Sequence, residues 1–134
     1  MNYILDTHIL VWYLSGSTNL SQETKGIILN TDNTIYYSVL SLWEILLKSK
    51  KEKIVKYKSI NDLNVDIIDM GLIPLPLYPR HIYAIEEISL SNQKLEHKDP
   101  FDRALMAQAK ENKMFLLTHD IALKQYKEKY IKFV

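Results

Sequence analysis

The chain has 134 residues, 47% hydrophobic and 25% charged, which predicts one folded domain, residues 1–134, able to bury roughly two thirds of its unfolded surface, and excludes a disordered protein. It has no cysteine, which excludes disulfides, zinc-thiolate centres and cysteine nucleophiles and agrees with a reducing, cytoplasmic setting. The net charge of +1 argues neither for nor against a nucleic-acid partner.

In chain order, Met1 runs without a basic leader into Tyr3-Ile-Leu5, a short buried strand ended by Asp6. No stretch of about 18 apolar residues follows, so no membrane association is expected. Ile9, Leu10, Val11, Trp12 and Leu14 are too continuous for the same strand and predict a helix, broken by Gly16 and Ser17. Ser21 caps a helix to about Asn30 with Ile27 and Ile28 inward, and Thr31-Asp-Asn33 turns into the strand Ile35-Tyr-Tyr37. Ser41 to Glu44 has the S-x-x-E capping-box pattern and predicts a helix with Leu42, Ile45 and Leu46 on its core face. That helix runs into a basic stretch. Between Lys48 and Lys58 lie six lysines and one glutamate, a local charge of +5 that leaves −4 for the remainder.

Ser59 or Asn61 opens the next helix, with Leu63, Ile67 and Met70 on one side and Gly71 at its C-terminal end. Leu72-Ile73, followed by Pro74 and Pro76, reads as an edge strand, because proline cannot donate to a central ladder. A helix from Pro79 spans Ile82 to about Ile88, and Ser89 to Lys98 is a polar connection. Asp99-Pro100 then predicts a helix start, aspartate as N-cap and proline where its missing N–H costs nothing. Along that helix, which ends near Asn112, Asp102 heads an apolar stripe continued by Leu105, Met106 and Ala109, while Arg103 heads the flank with Lys110. Met114 to Leu117 is a buried strand ended by Thr118-His-Asp120, and a short helix and the run Ile131 to Val134 complete the chain.

Alternating strands and helices predict an α/β fold, a three-layer α/β/α sandwich around a mainly parallel sheet of four or five strands. Strand C-termini and the N-termini of the following helices share one edge of such a sheet, where ligands bind. Asp6 and Asp120 follow strands, and Glu44 and Asp102 lie early in helices, so all four acids belong to that edge. At roughly 5 Å separation and an effective dielectric of about 20, each pair repels by about 3 kcal/mol, a sizeable part of the ~5–15 kcal/mol that holds a small domain together. Either the four do not meet, or protons or cations lie between them. Oxygen-only donors favour Mg²⁺ or Mn²⁺, which activate water and offset phosphodiester charge. Asp102, placed over apolar neighbours, is the hardest to dismiss, but the other acids also have a plainer reading. Asp6 and Asp99 serve as helix caps, Glu44 as the capping-box partner of Ser41 and the ion-pair partner of Lys48, and Asp120 as a turn residue.

Four motifs in order, Leu5-Asp6-Thr7-His8, Ser41-Leu-Trp-Glu44-Ile, Asp99-Pro-Phe-Asp102-Arg103 with Ala107-Gln-Ala109, and Thr118-His-Asp120, resemble the PIN-domain nucleases, and among them the VapC-like toxins of type II toxin–antitoxin pairs. The resemblance covers nearly the whole chain. It implies a homodimeric Mg²⁺- or Mn²⁺-dependent endoribonuclease, using one or two ions and silenced by a cognate antitoxin protein. By motif position it assigns catalysis and metal binding to Asp6, Glu44, Asp102 and Asp120, with Thr118 as a hydroxyl beside the site and Asp99 as an extra acid. No acid of the pattern is missing.

Two rivals are weighed against this. An aspartate-nucleophile phosphatase would want a second acid two residues after Asp6, where His8 stands. A non-catalytic interaction module would use the same edge for a partner peptide. Lys48, Lys50, Lys51 and Lys53, with Tyr57 nearby, suit an RNA backbone or simply a solvated helix end. Trp12 and Trp43 read as core packing, with an antitoxin-binding groove as the alternative. His8 and His119 suit hydrogen bonding or exposure better than metal ligation, and His81 and His97 carry no assignment.

Overall fold

A computed structural model of the protein describes residues 1–50, 55–91 and 99–134. Five strands form one parallel sheet: β1 (Asn2–Leu5), β2 (Thr34–Ser38), β3 (Ile73–Leu75), β4 (Phe115–Thr118) and β5 (Ile131–Phe133), in the order β3-β2-β1-β4-β5. Among the described residues six helices connect the first four: α1 (Thr7–Ser15), α2 (Gln22–Leu29), α3 (Val39–Ser49), α4 (Ile60–Asp69), α5 (Pro79–Ser91) and α6 (Pro100–Glu111). A short 3₁₀ turn, Ile121–Tyr126, precedes β5. Among the described residues no helix is long and apolar enough to cross a membrane.

The order explains the layers. The chain steps outward from β1 to β2 to β3, then returns across β1 to β4. Parallel crossovers are right-handed, so reversing the direction of travel puts the next helices on the opposite face. Strand alternation agrees. Tyr3 and Leu5 of β1 join Ile35, Tyr37 and residues of α1 to α4 in one core, whereas Ile4 joins Leu116, Leu105 and Met106 in the other. The fold is therefore the three-layer α/β/α sandwich that the sequence predicts, with the upper strand number. β3 is an edge strand as its prolines require.

Several local expectations are corrected. The helix after β2 is capped by Ser38, whose hydroxyl accepts from the Leu40 N–H at 3.0 Å, and not by Ser41. Ser38 pairs with Leu75 at the end of the sheet, and the chain turns into helix at once. Ser41 is thereby a buried interior residue of α3, hydroxyl to hydroxyl with Thr7 of α1 at 2.9 Å. Leu42 and Leu46 are only partly buried beside the fully buried Ile45. Met70 is 43% exposed rather than inward, because the helix ends there and Gly71 follows at φ +88°, a left-handed conformation that glycine adopts without strain. The connection from β4 to β5 holds a 3₁₀ turn in place of an α-helix.

α6 is buried on all sides from Ala104 to Ala109. The alanines let it lie close to the sheet, and Gln108 inside it donates its amide to the Leu75 and Pro76 carbonyls at 3.4 and 3.1 Å. The two carbonyls leaving β3 thereby gain a donor. His81, fully buried near the start of α5, accepts from the Tyr78 N–H at 2.9 Å through Nδ1 and meets the Asn112 side chain at 2.9 Å through Nε2. It closes the helix start as a capping-box glutamate would. Burial first, and then Arg80, hold its pKa below the ordinary value.

A histidine with a lowered folded-state pKa stabilises the fold above its unfolded pKa, near 6.5, and that contribution is lost as pH falls through the folded value. His81→Phe is expected to lower stability by about 1–3 kcal/mol at pH 7 through the orphaned Tyr78 N–H. In urea unfolding it should also lose less stability than the parent protein between pH 7 and 5; identical pH profiles would contradict this role.

Candidate active site

At β1 the strand order reverses. β2 lies on one side and β4 on the other, and the chain leaves their C-terminal ends in opposite directions. A crevice opens at such a switch point. Asp6 follows β1 directly, Thr118 is the last residue of β4, and Asp120 comes two residues later.

Asp6 is buried, 2% exposed. It caps α1, accepting from the His8 N–H at 3.4 Å, and its own N–H donates to the Leu117 carbonyl at 3.0 Å, so backbone bonds fix it between the two strands. Its second carboxylate oxygen accepts from the Thr118 hydroxyl at 2.5 Å. The Thr118 oxygen in turn accepts from the Asp120 N–H at 3.0 Å. Burial raises the Asp6 pKa against the lowering effects of the Thr118 bond and His8, and Glu44 raises it further. The expected consequence of Thr118→Val is a carboxyl higher still and about 1–3 kcal/mol of lost stability from the broken buried bond. NMR titration of Asp6 together with thermal unfolding measures both, and an unmoved Asp6 pKa would contradict the arrangement.

Glu44 is 4% exposed on α3, with Lys48 Nζ at 2.9 Å, so the plain ion-pair reading is present together with burial in the acidic group. Its capping-box role is not present, since Ser41 is no cap. Burial pulls the Lys48 ammonium down, but Glu44, Asp99 and Asp102 outweigh this and hold its pKa above the ordinary value. Asp99 is the N-cap of α6, accepting from the Phe101 and Asp102 N–H groups at 2.9 and 3.2 Å. Asp120 caps the 3₁₀ turn through the Ala122 N–H at 2.9 Å.

Asp102 is where these acids meet electrostatically. Burial first, and then Asp6, Asp99, Glu44 and Asp120 in that order, raise its pKa to about 8. Four carboxyls, three of them from segments far from it in sequence, therefore bear on Asp102. Their donor chemistry fits a hard divalent cation: oxygen atoms only, with one carboxyl whose acid form is favoured by burial and by its neighbours in the absence of positive charge. Among the described residues no three acids or histidines already stand close enough to hold a metal ion.

The remaining sequence candidates separate. Lys50 is exposed at the end of α3, and Lys51 and Lys53 lie outside the described residues, as does His97. His8 and His119 are exposed, and their rings lie against Trp12, at 6.3 and 4.2 Å between centroids. Trp12 is half-buried, but Trp43 is 55% exposed, against the core reading, and packs edge-on to Phe101 at 5.5 Å. The Thr7–Ser41 hydroxyl pair, joining the helices that carry Asp6 and Glu44, is a site feature that sequence reasoning missed. Its only trace is a hydroxyl residue near each acid.

A groove of about 900 Å³ opens beside the acids, lined from α1 by His8 and Trp12, from α3 by Glu44 and Lys48, and from the start of α6 by Asp99 and Phe101.

The PIN domain family model matches residues 3–129. Among solved structures, the chain is similar to VapBC2 from Rickettsia felis bound to a DNA fragment from their promoter, with a TM-score of 0.72, 21% identity, and coverage of 100% of this chain and 98% of the other. DNA-bound VapBC from Salmonella typhimurium follows at TM-score 0.69, 16% identity and coverage of 100% and 97%. VapBC-1 from nontypeable Haemophilus influenzae gives 0.70, 16%, and 99% and 98%. No curated protein matches the sequence.

Proposed function

Because the chain belongs to the PIN-domain family, we propose that it is a metal-dependent endoribonuclease and the toxin of a type II toxin–antitoxin pair, hydrolysing single-stranded RNA. The observation that carries this reading is the Asp102 carboxyl, raised to about 8 by burial and four neighbouring acids at the switch point of the sheet. Such a grouping is costly to fold around unless a cation offsets it.

In this reading Asp6, Glu44, Asp102 and Asp120 hold one or two Mg²⁺ or Mn²⁺ ions. When bound, such an ion lowers the pKa of water and offsets charge on the phosphodiester. Asp6 is pre-oriented by its backbone bonds and by Thr118, so little order is lost when it takes up a ligand. Asp99 fixes the start of α6 and so the direction of Asp102. Lys48 balances Glu44 at the groove wall, Lys50 is exposed at the end of α3, and Lys51 and Lys53 follow it in sequence.

The fold likeness to VapBC structures supports an antitoxin partner, and by the same family resemblance we infer a cytoplasmic homodimer in which residues 1–134 form the nuclease domain. The test is expression of the chain in cells, followed by sequencing of RNA 5′ ends. Discrete new ends that vanish on co-expression of a small upstream reading frame are expected; no new ends and no growth arrest would contradict the reading. A non-catalytic interaction module is the second reading, favoured by the acids not yet being within coordinating reach among the described residues. Metal-independent partner binding without cleavage would select it.

A further inference from the structure

The groove beside the acids has aromatic walls that the acid chemistry does not use. α3 packs against both α1 and α6 and forms the floor between them. On the α1 side, Trp12 and His8 line the groove, with His119 edge-on to Trp12 at 4.2 Å and 5.9 Å from the His8 ring. On the α6 side, Phe101 lines it, backed by the 55% exposed Trp43. Each wall is tied to the site by sequence, since Phe101 precedes Asp102, Trp43 precedes Glu44, and His119 precedes Asp120.

Trp12 packs one side against the core and Phe101 is partly covered, but both keep part of the ring open to the groove beside the buried Asp6 and Glu44, and every nucleobase has a π-face to lay on such a ring. Positive charge lies along the same floor. Lys48 lines the groove and Lys50 is exposed beyond it. The Tyr57 hydroxyl meets that of Ser49, which brings exposed Lys56 and Lys58 back to the end of α3. Rings flanking the acids, with lysines leading away, fit the alternation of base and phosphate in a single strand.

We propose that the two walls are nucleobase seats, one on each side of the phosphodiester presented to the acids, and that they restrict the enzyme to unpaired RNA. This rests on the nuclease reading and names its substrate contacts. Paired bases are stacked on one another and cannot lie on the walls.

The protein has two tryptophans, Trp12 lining one wall and Trp43 edge-on behind Phe101 of the other, so its own fluorescence reports the contacts. Trp12→Phe leaves Trp43 as reporter and Trp43→Phe leaves Trp12. With Mg²⁺ present and rapid mixing before turnover, oligo(A) and oligo(U) should quench both single-tryptophan proteins, and a blunt RNA duplex should quench neither. Trp43→Ala, at an exposed position, should keep the parental melting temperature and bind oligo(A) roughly 5- to 100-fold more weakly, the loss typical of one stacked base. If the parent protein cleaves RNA but neither reporter is quenched and Trp43→Ala binds normally, the seats are refuted while the nuclease reading stands. Quenching by the antitoxin protein alone would also refute them and assign the walls to that partner. If RNA is neither bound nor cleaved, the nuclease reading falls first and the seats with it.

Discussion

Asp102→Asn is expected to abolish RNA cleavage and growth arrest while leaving the fold intact and its melting temperature equal or higher. The carboxyl is partly buried and raised to about 8 by burial and four other acids, so at neutral pH it must take up a proton on folding, and an uncharged amide of the same shape removes that cost. It also withdraws a ligand that the proposed chemistry needs. Losing several kcal/mol of transition-state stabilisation corresponds to roughly 10³-fold or more in rate. Asp6→Asn should behave alike in activity, though its bond from Thr118 Oγ makes a gain in stability smaller. Wild-type activity in both variants, measured beside their thermal unfolding, would remove these residues from the site.

The second large effect concerns metal and pH together. An acid whose folded-state pKa is raised contributes stability that is present in full below its unfolded pKa, near 3.8, and lost as pH rises through the folded value, here about 8. Metal-free protein should therefore lose stability steadily from about pH 4 to pH 8 because of Asp102, with Asp6 adding to the slope in the same direction. A cation reverses the preference, because it binds the ionised carboxylates. Added Mg²⁺ or Mn²⁺ should raise the melting temperature, by about 2.7 kcal/mol of stability at a hundredfold excess over Kd, and raise it more at pH 8 than at pH 5. Thermal unfolding in chelator and in metal across this range checks both slopes. A metal effect that is absent, or independent of pH, would contradict the shared acidic site.

The placement of Asp6 and Asp120 was legible because each ends an apolar run, and in a parallel sheet all such ends share an edge. Asp102 was legible through Asp99-Pro100, whose capping chemistry is local and is present at 2.9 and 3.2 Å. The start of α3 was not. Ser38 and Ser41 both suit a cap, and Val39 between them suits a strand, so the choice falls to the pairing of Ser38 with Leu75, residues far apart in sequence. The mistaken cap made Glu44 look like local helix chemistry, and it hid the bond between Ser41 and Thr7, which needs α1 and α3 side by side. Trp43 was unreadable for a related reason. A tryptophan in an apolar helix is buried only if something covers that face, and here Phe101 meets it edge-on while Trp43 stays 55% exposed. Strand order likewise lies beyond the alternation of elements, although right-handed crossover then dictates which helices lie on which face.

Anomalous diffraction from crystals soaked in Mn²⁺ asks most directly whether these acids are gathered to share a cation. Peaks at about 2.1 Å from carboxylate oxygens of both Asp6 and Asp102, lost in Asp102→Asn crystals, are the expected result. A fully soaked crystal with no peak at the C-terminal ends of β1 and β4, or one whose peak survives the substitution unchanged, would contradict it.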